Sequence, residues 1–185
     1  SGETFDPEKK AIEADDKIYD YIYEIACRFE SGEENILPLI KTKVKSNKLA
    51  KKYFELAASK GNSKALNRLG DFYFYGIECR KDYSKAKEFY EKSAEKGNRI
   101  ALYNLGNLYF KGNGVKYDYF KAKKYFELSA EFLYMPAYVM IGYIYEKGLV
   151  SPIDYLKARE MYEIAEKHNE PSAYVRLSNL YLHGY

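Results

Sequence analysis

Residues 101–114 read Ala101-Leu102-Tyr103-Asn104-Leu105-Gly106-Asn107-Leu108-Tyr109-Phe110-Lys111-Gly112-Asn113-Gly114, and the spacing inside this stretch decides the fold. Ala101, Leu105, Leu108 and Tyr109 fall on one stripe at helical spacing. Gly112 and Gly114 then end the helix, since glycine accepts the positive φ angles that other residues resist. A second segment opens at Asp118, whose carboxylate can cap the free amides of a helix start. Its inner face is Ala122, Tyr125, Phe126, Ser129 and Ala130. Two amphipathic helices joined by a glycine-rich loop make a helical hairpin.

The same pattern recurs every 36 residues: Ala50, Ala86, Ala122 and Ala158; Ala65, Ala101, Ala137 and Ala173; Tyr73, Tyr109, Tyr145 and Tyr181; Gly76, Gly112, Gly148 and Gly184. A period of this length marks stacked units, each burying its apolar face only against its neighbours. The fold class expected is all-α, a solenoid of antiparallel helix hairpins. Residues 1–14 read as a polar leader, in which Ser1-Gly2 has the look of a tag-removal scar. Residues 15–185 read as a single solenoid: a degenerate first hairpin over 15–62 with a long loop, regular repeats over 63–98, 99–134 and 135–170, and a terminal helix over 171–185. The long first loop contains the apolar run Ile36-Leu37-Pro38-Leu39-Ile40, and Ser46 takes the cap position held elsewhere by Asp82, Asp118 and Asp154.

Three local features carry physical demands. Gly70, Gly106 and Gly142 lie in mid-helix, where glycine costs about 0.5–1 kcal/mol relative to alanine, so another helix must press against each spot. Leu133-Tyr134 stands where Gly61-Asn62 and Gly97-Asn98 close the earlier copies; that connection is expected to differ, with Pro136 starting the next helix. The terminal helix carries Tyr174, Leu177, Leu180, Tyr181 and Leu182, an apolar surface suited to self-association.

Composition narrows the function. The chain has 185 residues, 46% hydrophobic and 31% charged, with 22 tyrosines and no tryptophan. Tyrosine buries a ring while keeping its hydroxyl wet, which suits thin helical layers. The net charge of +3 is spread over 30 basic and 27 acidic residues, unlike the concentrated basic face of a nucleic-acid binder. The run Lys41-Thr42-Lys43-Val44-Lys45 reads as a solvated loop and helix start. No apolar stretch approaches the ~20 residues of a membrane span. Cys27 and Cys79 share no metal spacing and form no disulfide framework. His168 and His183 lie near helix ends, where the dipole favours a surface imidazole, and no nucleophile or phosphate-loop motif accompanies them. Glu55, Glu91, Glu127 and Glu163 recur in register as a solvated face. No catalytic residue, metal site or cofactor is expected, and the chain reads as a non-enzyme.

The segment Ala101 to Tyr109, the loop Gly112-Asn113-Gly114-Val115, Asp118-Tyr119, Lys121-Ala122, Tyr125-Phe126 and the Gly-Asn turn resemble the Sel-1-like repeat, a relative of the tetratricopeptide repeat. The resemblance spans Lys17 to Tyr185. It implies a right-handed superhelix whose first helices line a concave face, and an adaptor or scaffold that binds a partner peptide or protein there. The groove positions it implies are Asn67, Asp71, Phe74 and Tyr75; Tyr103, Asn107, Phe110 and Lys111; Val139, Tyr143, Glu146 and Lys147; and Val175 and Asn179. Phe74, Phe110 and Tyr143 could equally fill gaps between helices. The alternatives are a self-associating structural module, using the C-terminal helix, or the non-catalytic targeting arm of a larger enzyme or secreted effector.

Overall fold

The computed structural model describes residues 7–32 and 46–185. The first loop with its run Ile36 to Ile40, and the basic run Lys41 to Lys45, lie outside the described residues. The chain is an all-α repeat fold: every regular element among the described residues is a helix. The residues divide into two compact units, Ser1–Phe89 and Tyr90–Tyr185.

The first unit contains α1 (Pro7–Ser31), α2 (Asn47–Ser59), α3 (Ser63–Tyr75) and the opening of α4 (Tyr83–Ala94). Residues 7–14, read from sequence as a leader, are the beginning of α1. Ser46 caps α2 by accepting from the Leu49 amide at 3.2 Å, and Asn62 caps α3 by accepting from Ala65 at 2.9 Å. The core joins Ile25, Ala26 and Phe29 of α1 to Ala50, Phe54 and Ala57 of α2 and to Ala65, Leu69 and Phe72 of α3. Alanine at 26, 50, 57 and 65, each fully buried, lets the helix backbones approach while the phenylalanines fill the space between.

The second unit contains the rest of α4, then α5 (Arg99–Lys111), α6 (Tyr119–Glu131), α7 (Met135–Lys147), α8 (Tyr155–Lys167) and α9 (Pro171–Leu182). Its loops repeat one construction. Asp118 and Asp154 each return a backbone amide to the first helix, to Tyr109 O at 2.9 Å and Tyr145 O at 3.1 Å. Each then caps the second helix, accepting from Lys121 and Lys157 amides at 3.0 Å. Mid-helix Gly106 faces the ring of buried Phe126 and Gly142 faces that of buried Tyr162. The glycines therefore mark where a second-helix aromatic ring presses close to a first-helix backbone.

The turn at Leu133 departs from the expectation. Gly97 donates to Ala94 O at 2.8 Å and Asn98 to Ser93 O at 3.3 Å; Leu133 donates to Ala130 O at 2.8 Å and Tyr134 to Ser129 O at 3.3 Å. The connection is the same, and Leu133 is forced to φ +55 to make it. What differs is the cap: Asn98 accepts from Ile100 and Ala101, whereas Tyr134 supplies no side-chain cap and Pro136 occupies the first turn instead.

The tyrosine excess has a structural cause. Tyr109 stacks on Tyr125 with centroids 5.6 Å apart, and Lys121 lies 5.3 Å over its face. Tyr145 is flanked by Lys123 at 5.3 Å and Lys157 at 5.5 Å. In the first unit Tyr73 stacks on Phe89 and is flanked by Lys51 and Lys85. Tyr73, Tyr109 and Tyr145 thus each offer a ring face to lysine ammonium groups, whereas Tyr181, the fourth ring in register, is exposed.

Candidate partner-binding face

The first helix of a hairpin packs on its own second helix and on the next hairpin, so its apolar stripe is wide and only a narrow strip stays open. The register position of residues 67, 103 and 139 falls inside that stripe, whereas Val175, the same position on the last helix, is 63% exposed. Asn67 and Val139 are only 5% and 6% exposed, so neither offers surface to a partner. Tyr103 packs on Phe126 at 5.5 Å and on Tyr134 at 5.2 Å. Asn67 and Val139 are therefore buried, and Tyr103 is a half-buried packing residue that the Tyr134 turn covers.

In the first unit, Asp71 accepts from Arg68 Nη1 at 2.8 Å, and the other arm of the same guanidinium pairs with Glu30 on α1. Burial works against the Arg68 cation, but the hydrogen bond and charge of Glu30, then Asp71, raise its pKa further. Phe74 meets Tyr75 and Tyr83 edge-on at 4.9 and 5.2 Å, leaving Tyr75 as the exposed ring.

In the second unit, Asn107 is half-buried and Lys111 exposed on α5. Phe110 bridges Tyr119 of α6 at 5.3 Å and Tyr143 of α7 at 6.0 Å, filling the gap between hairpins. Tyr143 carries the Arg176 guanidinium 4.5 Å over its ring. Lys147 pairs with Glu146 at 2.6 Å, and Asn179 is exposed on α9. Around these lies an open cavity of about 420 Å³, lined by Glu146, Lys147, Arg176, Asn179 and His183 with the Tyr155 and Tyr185 rings.

Glu146, one of the groove positions that the resemblance implied, organises this cavity. Buried Tyr162 donates its hydroxyl to Glu146 Oε2 at 2.7 Å, and Arg176 Nη1 lies 3.9 Å away. Burial alone would raise its carboxyl, but hydrogen bonds from Lys147 and Tyr162 and the charges of Lys147 and Arg176 outweigh it and hold the pKa low. Burial and the bond to Glu146 push the Tyr162 phenol up. Register exposes the substitution. Glu146 replaces Phe110 one repeat on, and Tyr162 replaces Phe126, so a ring contact at 6.4 Å becomes a hydrogen-bonded pair. Glu30 occupies the same place beside its terminal Gly32, and pairs with Arg68 as Glu146 does with Arg176. Such a comparison of copies was the available sequence signal.

His168 and His183 sit at helix C-caps, each with Nδ1 against the carbonyl four residues earlier, at 3.0 and 2.7 Å. Cys27 and Cys79 are free thiols. Among the described residues no group of three His, Cys, Asp or Glu side chains could hold a metal ion, and no helix is long and apolar enough to cross a membrane.

The Sel1 repeat family model matches residues 42–62, 63–98, 99–131 and 136–169. A Sel1 repeat protein from Oxalobacter formigenes superposes with a TM-score of 0.79 at 27% identity, over 91% of this chain and 65% of that one. A protective antigen of uropathogenic Escherichia coli displaying an SLR fold gives 0.73 at 26% identity, over 89% of this chain and 33% of that one. Helicobacter pylori cysteine rich protein B shares the fold alone, at 24% identity and a TM-score of 0.50, over 65% of this chain and 92% of that one. The chain thus spans a third of the antigen and just under two thirds of the Oxalobacter protein. No curated protein matches it.

Proposed function

Because the chain belongs to the Sel1 repeat family, we propose that it is a non-catalytic adaptor which binds a partner polypeptide on the open strip of its first helices. Sel1 repeat proteins generally serve as protein–protein interaction modules. In the second unit the strip runs through Asn107 and Lys111 of α5, Lys147 of α7 and Asn179 of α9. The observation that carries this reading is the cavity at α7 and α9. Its charged lining is one carboxylate against Lys147 and Arg176, so it suits a polar or acidic side chain of a bound segment. Asn107 and Asn179 can pair with an extended backbone.

Affinity capture tests it, comparing the parent with Asn107→Ala/Lys147→Ala/Asn179→Ala. These side chains are exposed or half-buried, so melting should not change. Loss of a captured polypeptide at unchanged melting supports the proposal; full retention removes it. Tyr103→Ala is unsuitable, since that ring supports the core.

Self-association has its own observation: Val175, Tyr181 and Leu182 of α9 are 63%, 57% and 79% exposed. Light scattering of the parent and of Leu182→Glu distinguishes it, because only a self-associating chain would change mass. Leu180, at 4% exposure, is core and would confuse the test.

A further inference from the structure

The repeat supplies an internal control on how each hairpin closes. In the first three hairpins a second-helix ring lies parallel to a first-helix ring: Tyr53 on Phe29, Phe89 on Tyr73 and Tyr125 on Tyr109. Their centroids are 5.6, 5.5 and 5.6 Å apart and their planes lie within 4°, 8° and 10°. The fourth hairpin keeps Tyr145 on α7 but has Met161 at the partner position on α8. An unbranched thioether thus stands where the other hairpins place a ring. Beside it is an open cavity of about 530 Å³, lined by Tyr145, Met161 and the buried Ile141 and Ala130. That volume and that apolar lining are those of a binding site.

The charges around this cavity do not cancel. Glu131 of α6 and Glu160 of α8 both line it and are exposed, and neither carboxylate has a partner among the described residues. The other charged lining groups are committed: Glu127 pairs with Lys123, and Lys157 with Asp154 at 3.4 Å. One repeat earlier the positions of Glu131 and Glu160 hold Glu95 and Lys124, of opposite sign, so the framework does not require two carboxylates here. We propose that this groove docks a partner polypeptide through a phenylalanine or tyrosine side chain flanked by lysine or arginine. The guest ring stacks on Tyr145 as Tyr125 does on Tyr109, and the flanking cations meet Glu131 and Glu160. Lys123 and Lys157 over Tyr145 leave room for it, because Tyr73 carries Lys51 at 5.1 Å, Lys85 at 5.3 Å and the stacked Phe89 together. The groove shares no lining residue with the open strip proposed above.

The probe is acetyl-Lys-Phe-Lys-amide, titrated into the chain carrying carbon-13 at its methionine methyls. Of the three methionines, Met161 lines the cavity and Met135 and Met140 do not. The Met161 signal should move under the ring current of the bound phenylalanine while the other two stay, and the response should weaken as salt is added. Acetyl-Lys-Leu-Lys-amide and acetyl-Glu-Phe-Glu-amide should leave it in place. Glu131→Gln/Glu160→Gln, at exposed positions, should fold as the parent does and bind at least about tenfold more weakly. Met161→Phe supplies the missing ring from the chain itself and should abolish saturation transfer to the peptide's phenylalanine; should that variant lose its helical melt, the glutamine pair carries the comparison. Asn107→Ala/Lys147→Ala/Asn179→Ala should leave the Met161 shift intact, which separates this groove from the first-helix strip. Absence of a Met161 shift, an equal shift with the leucine peptide, or equal binding by the glutamine variant would overturn the proposal. So would an equal shift with phenethylamine at the same concentration, which would mark a small-molecule site.

Discussion

Replacing Gly106 with alanine sets two known effects against each other. An added Cβ would stand 2.5 Å from Phe126 Cε1, 2.6 Å from Cδ1 and 3.0 Å from Cζ. Carbon atoms are comfortable at about 3.5–4.0 Å, so the ring must retreat by about 1 Å. It has nowhere easy to go, being fully buried with Tyr103 at 5.5 Å and Phe110 at 6.4 Å. Overpacking of this kind costs about 2–3 kcal/mol, while alanine in mid-helix returns about 1 kcal/mol. The net expectation is a loss of about 1–2 kcal/mol, or a melting temperature lower by about 2–8 °C for a chain of this size. Thermal melts followed by circular dichroism measure it, and Gly106→Ala/Phe126→Leu should recover part of the loss. Gly142→Ala should be worse: the Cβ meets Tyr162 Cε1 at 2.6 Å and Ala158 O at 3.1 Å, and that ring is tethered through its hydroxyl to Glu146. A Gly106→Ala melting temperature at or above the parent's would refute the argument.

Leu133→Gly should go the other way. A left-handed non-glycine residue costs about 1–2 kcal/mol, and the entropy of an added glycine takes back about 0.4–1 kcal/mol, leaving a gain of about 0.5–1 kcal/mol that a urea midpoint would register. Glu146 should make stability fall in acid. Its folded pKa lies below the unfolded value of about 4.3, so its contribution is present above that value and lost as pH falls through the folded one. Glu146→Gln should flatten that part of the profile, and an unchanged acid slope would show that the carboxylate is not responsible.

The helices, their caps and their crossings were legible because each is written locally and then repeated. Asp82, Asp118, Asp154 and Ser46 all cap where their spacing placed them. Gly106 and Gly142 announced close approach, and Phe126 and Tyr162 provide it. The turn at Leu133 was misjudged because composition shows which residue is comfortable in a conformation, not whether packing will impose it. Tyr103 and Val139 were placed on the open strip because one helix, taken alone, has only one inner face. The covering of its flank by the next hairpin is a tertiary fact that the period of 3.6 does not contain. The resemblance put Glu146 on the groove, but its pairing with Arg176, 30 residues on in another hairpin, shows only when the copies are aligned, Glu30 with Phe74, Phe110 and Glu146.

The exchange of a ring for a carboxylate at that one position makes the copies non-interchangeable. Excising residues 135–170 would preserve the period and every loop length, yet it would present Arg176 with Phe110 where it now meets Glu146. A genetic duplication or deletion that respects the reading frame of the array can therefore still leave a mismatched joint. The order of the units is written at their seams, as a key is cut along one edge, and not in the shared framework that makes them look alike.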